Sequence, residues 1–141
     1  MTDVLPAPGG KLMEDEPITQ VRIAVLTVSD TRDEDSDTSG AVLADRIITA
    51  GHVVAARGLV RDSVEEIRAQ VRAWVSSGEV DAIITTGGTG LTGRDVTPEA
   101  LGPIFDKTID GFSVIFHLAS YQTVGLSTLQ SRALAGIIGG V

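Results

Sequence analysis

The stretch Thr85-Thr86-Gly87-Gly88-Thr89-Gly90-Leu91-Thr92-Gly93-Arg94-Asp95 carries the clearest chemical signal in the chain. Glycines placed directly after a strand let backbone N–H groups approach a phosphate with no side chain in the way. Gly88, Gly90 and Gly93 satisfy the spacing G-x-G-x-x-G. A dinucleotide fold is excluded because no helix begins at Gly93, and a P-loop because no Gly-Lys-Ser or Gly-Lys-Thr follows. A carboxylate beside a phosphate cradle, here Asp95, makes chemical sense with a divalent cation between them. Magnesium takes one or two carboxylates plus substrate phosphates. The competing reading is a plain surface turn. If the glycines serve phosphate, Gly88→Val is expected to damage nucleotide binding far more than folding.

Other residues with chemical potential carry stronger structural alternatives. Asp62 falls at the end of a predicted strand, where open α/β sheets bind ligands, yet by spacing it is the better candidate for a helix cap. The five acids of Asp30–Asp37 read as a solvated loop rather than a metal site. Ser127, Ser131 and Arg132 suit a phosphate or carboxylate, and equally suit hydrogen bonding within the protein. His52 and His117 share no metal-ligand spacing. Trp74 falls on an apolar helix face and reads as core.

The elements that must position these groups follow from periodicity. Val21–Ser29 is a β-branched run, read as a buried strand feeding the acidic loop. Thr38-Ser39-Gly40 opens a helix that Gly51 ends, with Leu43, Ile47 and Ala50 among its apolar positions. His52–Val60 is a weaker strand. Asp62-Ser63-Val64-Glu65 reads as a capping box for a helix closed by Gly78, with Val64, Ile67, Val71, Trp74 and Val75 along its inner face. Ala82–Thr86 is a short buried strand, and Thr97-Pro98 starts a helix with threonine as its cap. A helix near Phe112–Ser120 and a strand over Ser131–Ile138 complete the reading. Strand–helix alternation implies an α/β fold with a mostly parallel sheet.

Composition bounds what remains. The 141 residues include 43% hydrophobic ones and argue for a single domain, over residues 21–141. Residues 1–20, punctuated by Pro6, Pro8, Gly9 and Gly10, read as a disordered tail. No cysteine is present, which removes disulfides and thiolate chemistry. With 11 basic against 19 acidic side chains the net charge is −8, so no nucleic-acid partner is expected. No apolar run approaches a membrane span and no signal pattern opens the chain, so the expectation is a soluble, cytoplasmic protein without a membrane partner.

The segments VLTVSD (25–30), DTSG (37–40), TTGGTG (85–90), RDVTPEA (94–100), GF (111–112) and STLQSRALAG (127–136), in this order, resemble the MoaB/Mog family of molybdenum-cofactor biosynthesis proteins, closer to its MoaB branch. The resemblance implies a three-layer α/β/α sandwich that binds molybdopterin and, in active members, adenylylates it with Mg-ATP. It implies magnesium-linked catalytic carboxylates at Asp95 and Asp62, lifting Asp62 above the plain cap reading. Gly87, Gly88, Thr89 and Gly90 would then cradle nucleotide phosphates, and Ser127, Ser131 and Arg132 would hold the pterin phosphate. It also implies a homo-oligomer, trimer or hexamer.

The sequence departs from the family at Val114, His117 and Leu126, where relatives commonly carry Glu, Arg and Thr. The family's next strand and Pro-Gly loop are missing after Val141. The chain is therefore expected to be truncated at its carboxyl end and to lack the last strand. The alternative is a non-catalytic pterin-binding or scaffold relative.

Overall fold

The computed structural model describes residues 17–141. Most of the expected tail therefore lies outside the described residues; positions 17–20 are exposed and carry no regular structure. The apolar run Arg22–Val28 forms β1, the centre of a three-stranded parallel sheet ordered β2-β1-β3, with β2 at Val53–Val60 and β3 at Ala82–Thr86. Every residue of β1 after Arg22 is buried, which is why its sequence is continuously apolar rather than alternating. Ile23 and Val25 pack on one face with Ile47; Leu26 and Val28 pack on the other with Ile67, Val71, Ala100 and Leu101.

Connection handedness explains the layers. The chain moves outward from β1 to β2 through α1 (Thr38–Thr49), then back across β1 to β3 through α2 (Val64–Ser77). Crossovers of one hand running in opposite directions place the two helices on opposite faces. The result is the expected α/β/α arrangement. A short α3 (Thr97–Leu101) joins α2's layer, where Arg68 donates to the Ala100 and Glu99 carbonyls at 2.7 and 3.0 Å. Trp74 is partly buried against the same cluster, as expected of a core residue.

Several local readings need correction. The cap of α1 is Asp37, whose carboxylate accepts from the Gly40 amide at 3.0 Å. Asp37 is buried: it also accepts from the Thr27 hydroxyl at 2.7 Å and pairs with Arg57 at 3.3 Å. The cap of α2 is Ser63, accepting from the Glu66 amide at 3.2 Å, so the capping box is shifted by one residue and Asp62 is free of that task. Thr97 does not cap α3; Val96 stands at the cap position without a side-chain bond. The helix expected near Phe112–Ser120 is the longer α4, Asp110–Val124.

The strand expected over Ser131–Ile138 shrinks to β5, Gly136–Ile137, which pairs antiparallel with β4, Lys107–Thr108. Its first half is drawn elsewhere: the Ser131 amide donates to the Thr128 carbonyl and the Arg132 amide to the Thr89 carbonyl, while the bond from the Ile109 amide to the Ala135 carbonyl carries on the β4–β5 register. A backbone whose polar groups are already taken by loops cannot also form a ladder. Among the described residues no helix is long and apolar enough to cross a membrane.

Candidate functional site

All three parallel strands end at one edge, and each delivers a polar group there. Asp30 follows β1, Asp62 follows β2, and the glycine loop follows β3. The chain leaves β1 toward α1 and leaves β3 toward α3, on opposite faces, so the two loops diverge and open a crevice. That carboxyl edge is where open α/β sheets take ligands.

The glycine loop folds tightly over the end of β1. Gly87 and Gly88 have φ of +99° and +70°, in the left-handed region that side chains avoid. A Cβ on Gly87 would meet the Val28 carbonyl oxygen, and one on Gly88 would meet Thr97 Oγ1. One on Gly90 would lie 2.6 Å from Asp95 Oδ2. Thr97, fully buried, ties the loop down: its hydroxyl donates to the Gly87 carbonyl at 2.9 Å and its amide to the Gly88 carbonyl at 3.0 Å. The packing therefore runs against the expectation that Gly88→Val damages nucleotide binding far more than folding. Valine would be strained in the backbone and would displace Thr97 as well.

Asp62 and Asp95 flank this loop. Asp62 Oδ1 would be 3.3 Å from a Cβ on Gly88. Its other oxygen accepts from the Asp30 amide at 3.0 Å, while the Asp62 amide donates to Asp30 Oδ1 at 2.9 Å. Burial pushes the Asp62 carboxyl above its ordinary range, and the negative charges of Asp30 and Asp95 push the same way, against the Asp30 amide and Arg94. Asp95 is held the opposite way. The Thr92 hydroxyl and amide donate to its Oδ2 at 2.7 and 3.0 Å and lower its carboxyl, with Gly90 and Arg132 adding to the effect. These bonds leave Asp95 Oδ1 outside the loop's own network.

The donor set fits magnesium in one manner. Among the described residues no three His, Cys, Asp or Glu side chains gather closely enough to hold a metal alone. The charge of Asp95 adds to the cost of ionising Asp62, and a cation shared with phosphate oxygens would relieve it. Magnesium is bound in that way, through few carboxylates and many substrate oxygens.

Arg132 does not stand free. Its amide donates to the Thr89 carbonyl at 2.8 Å, Nε to the Gly90 carbonyl at 2.8 Å, and Nη2 to the Asp95 carbonyl at 2.7 Å, while Nη1 pairs with Glu99. Ser131 is half-buried and lines, with Thr38, Ser39, Thr86 and Thr89, a cleft of about 850 Å³ that runs along β3 onto apolar side chains including Phe105 and Phe112. A smaller cavity of about 340 Å³, bounded by Thr92, Asp95, Glu99 and Arg132, lies on the other flank of the loop. Ser127 is exposed and lines neither.

Glycine loop, Asp62, Asp95, Ser131 and Arg132 thus converge, and Ser127 is set apart. Sequence reasoning missed Asp30, dismissed with its acidic loop, although it holds the same strand-end position that singled out Asp62. It also missed Thr97 and Glu99, whose roles depend on contacts across the fold.

Comparison with known proteins identifies the family. The family described as "Probable molybdopterin binding domain" matches residues 24–140. Molybdenum cofactor biosynthesis protein B of Escherichia coli (strain K12) is 50% identical over 116 residues, covering 82% of this chain and 68% of that protein. A crystal structure of molybdenum cofactor biosynthesis protein B superposes with a TM-score of 0.83 at 42% identity, covering 88% of this chain and 78% of that one. The tungsten cofactor synthesizing protein MoaB of Pyrococcus furiosus gives 0.73 at 35% identity, covering 86% and 76%. The chain belongs to the MoaB/Mog family of molybdenum-cofactor biosynthesis proteins, on its MoaB branch.

Proposed function

We propose that this protein transfers the adenylyl group of ATP to molybdopterin in the cytoplasm, with magnesium as the metal. The observation that carries the reading is the glycine loop at the sheet's carboxyl edge with Asp62 on one side and Asp95 on the other. In the reaction a terminal phosphate oxygen of molybdopterin bonds to the α-phosphorus of ATP, the bond from that phosphorus to the α,β-bridging oxygen breaks, and pyrophosphate leaves. Side chains have little covalent work in such a transfer; positioning and electrostatic stabilisation dominate. Gly87, Gly88, Thr89 and Gly90 admit phosphate to the backbone. Asp62 and Asp95 would hold magnesium, which neutralises phosphate charge when bound. Thr89 and Ser131 stand at the mouth of the long cleft, which suits a flat ring with a polar rim.

Homo-oligomer formation, as a trimer or hexamer, belongs to the same proposal. α4 has no buried residue, and Asp110 is its one Asp, Glu, Lys or Arg. Ile115 and Leu118 are 66% and 62% exposed. A helix this apolar on all sides is stable in water only when covered.

The second reading, a pterin-binding relative without catalysis, is favoured by the internal engagement of Arg132, which removes one expected phosphate contact. Adenylyl transfer from ATP to molybdopterin, measured with and without magnesium, separates the two. Magnesium-dependent pyrophosphate release is expected; tight molybdopterin binding with no release would establish the scaffold reading.

A further inference from the structure

We propose that Arg132 is a positioning residue, a strut that sets the shape of the glycine loop from behind rather than a hand that grips the substrate's phosphate. The proposal rests on reading the loop as the nucleotide cradle, and it begins from what the guanidinium touches. Nε and Nη2 donate to the carbonyls of Gly90 and Asp95, the two ends of the segment 90–95, at 2.8 and 2.7 Å. The Arg132 amide takes the Thr89 carbonyl at 2.8 Å. With the Thr89, Gly90 and Asp95 carbonyls all held by Arg132, the course of the loop backbone between them is fixed.

The strut is itself anchored. Glu99 pairs with Nη1, and the Glu99 carbonyl accepts from Arg68 of α2, whose neighbours Ile67 and Val71 are in the core. A connected set of bonds therefore runs from the central helix through Glu99 and Arg132 to the loop and to Asp95. Only a planar fork with donors pointing in several directions can span these acceptors; a lysine ammonium is a point charge and cannot. The residue that follows Ser131 is thereby tied to the loop, so the cleft and the glycine loop keep a fixed relation.

The test needs no turnover. Hydrogen exchange at the amides of Thr92, Asp95 and Thr97, each bonded within the loop, is compared in ligand-free wild type, Arg132→Lys and Glu99→Gln, alongside ATP affinity with magnesium. A strut predicts exchange faster by about tenfold or more in Arg132→Lys, the worth of one charge-assisted hydrogen bond, with β1 amides unchanged. Glu99→Gln should give a smaller rise at the same amides, and it keeps the question answerable should Arg132→Lys fail to fold. Unchanged loop exchange in both variants, with ATP or molybdopterin affinity lost only in Arg132→Lys, would overturn the strut and make Arg132 a direct ligand. Faster loop exchange in a protein that binds no ATP at all would uphold the strut while removing the nucleotide reading.

Discussion

At the scale of single residues, Asp62 and Asp95 are two carboxylates pushed in opposite directions by their surroundings. Because Ser63 rather than Asp62 caps α2, Asp62→Asn separates chemistry from capping cleanly. Both Asp62→Asn and Asp95→Asn are expected to keep the wild-type circular dichroism and to lower magnesium-dependent kcat/KM by about 100-fold or more, the usual cost of losing one electrostatic contact to a reacting phosphate. Asp62→Asn should also melt no lower than wild type, since it removes repulsion with Asp30 and Asp95. Full turnover by a folded Asp62→Asn protein would leave Asp95 alone at the site. Ser63→Ala should do the converse: about 0.5–2 kcal/mol of stability lost in urea denaturation, with ATP affinity retained.

At the scale of elements, β1 and α4 are opposites. β1 is enclosed by strands on both edges and helices on both faces, whereas α4 rests on the surface with its apolar side chains in the open. Hydrogen exchange should be slowest in β1 and faster by orders of magnitude across residues 131–141, where a two-residue ladder, turns and single bonds to Thr89 and Asp106 protect the backbone. Equal protection of both in a monomeric sample would contradict this. On α4, Ile115→Glu together with Leu118→Glu should shift sedimentation velocity to the monomer while leaving the far-ultraviolet spectrum intact. An unchanged oligomer would place the interface elsewhere.

At the scale of the whole molecule, acid stability follows from carboxylates scattered over the fold. Hydrogen bonds and charge from Arg22 hold Asp81 down to about 2. Burial alone would raise Asp37, but Thr27, the Gly40 amide and Arg57 outweigh it and leave it lowered. Groups lowered by folding stabilise the protein above their unfolded values of ~4, and lose that contribution as the pH falls through their folded values. The thermal midpoint should therefore stay level from neutral pH to about 5 and fall steeply below about 4. Asp37→Ala should cost roughly 1–3 kcal/mol at neutral pH, because it removes a cap and leaves Thr27 and Arg57 without their partner. Asp37→Asn, which keeps a cap oxygen, should cost less and flatten the acid limb.

The sequence by itself determined the order of the elements from β1 through β3, the parallel sheet, the helix stops at Gly51 and Gly78, and the glycine loop with its neighbouring Asp95. These are local matters of hydrophobic period, left-handed glycine and residue order, so they are legible in a window of ten or fifteen positions. It also carried the family resemblance, through motifs spread along the chain. Tertiary structure alone decided which acid caps and which acid faces the crevice. Asp30, Asp37 and Asp62 look alike in a loop, but Asp37 is drawn under Thr27 and Arg57, while Asp30 and Asp62 bond each other across the ends of two strands. The segment 131–135 has strand composition and fails to be a continuous strand because its first two amides, of Ser131 and Arg132, are claimed by Thr128 and Thr89. Arg132 reads in sequence as an anion ligand or, equally, a donor within the protein, and becomes a strut only when Gly90, Asp95 and Glu99, 33 to 42 positions away, fold around it. A side chain's partners are set by contacts between distant segments, and no periodicity along the chain encodes them.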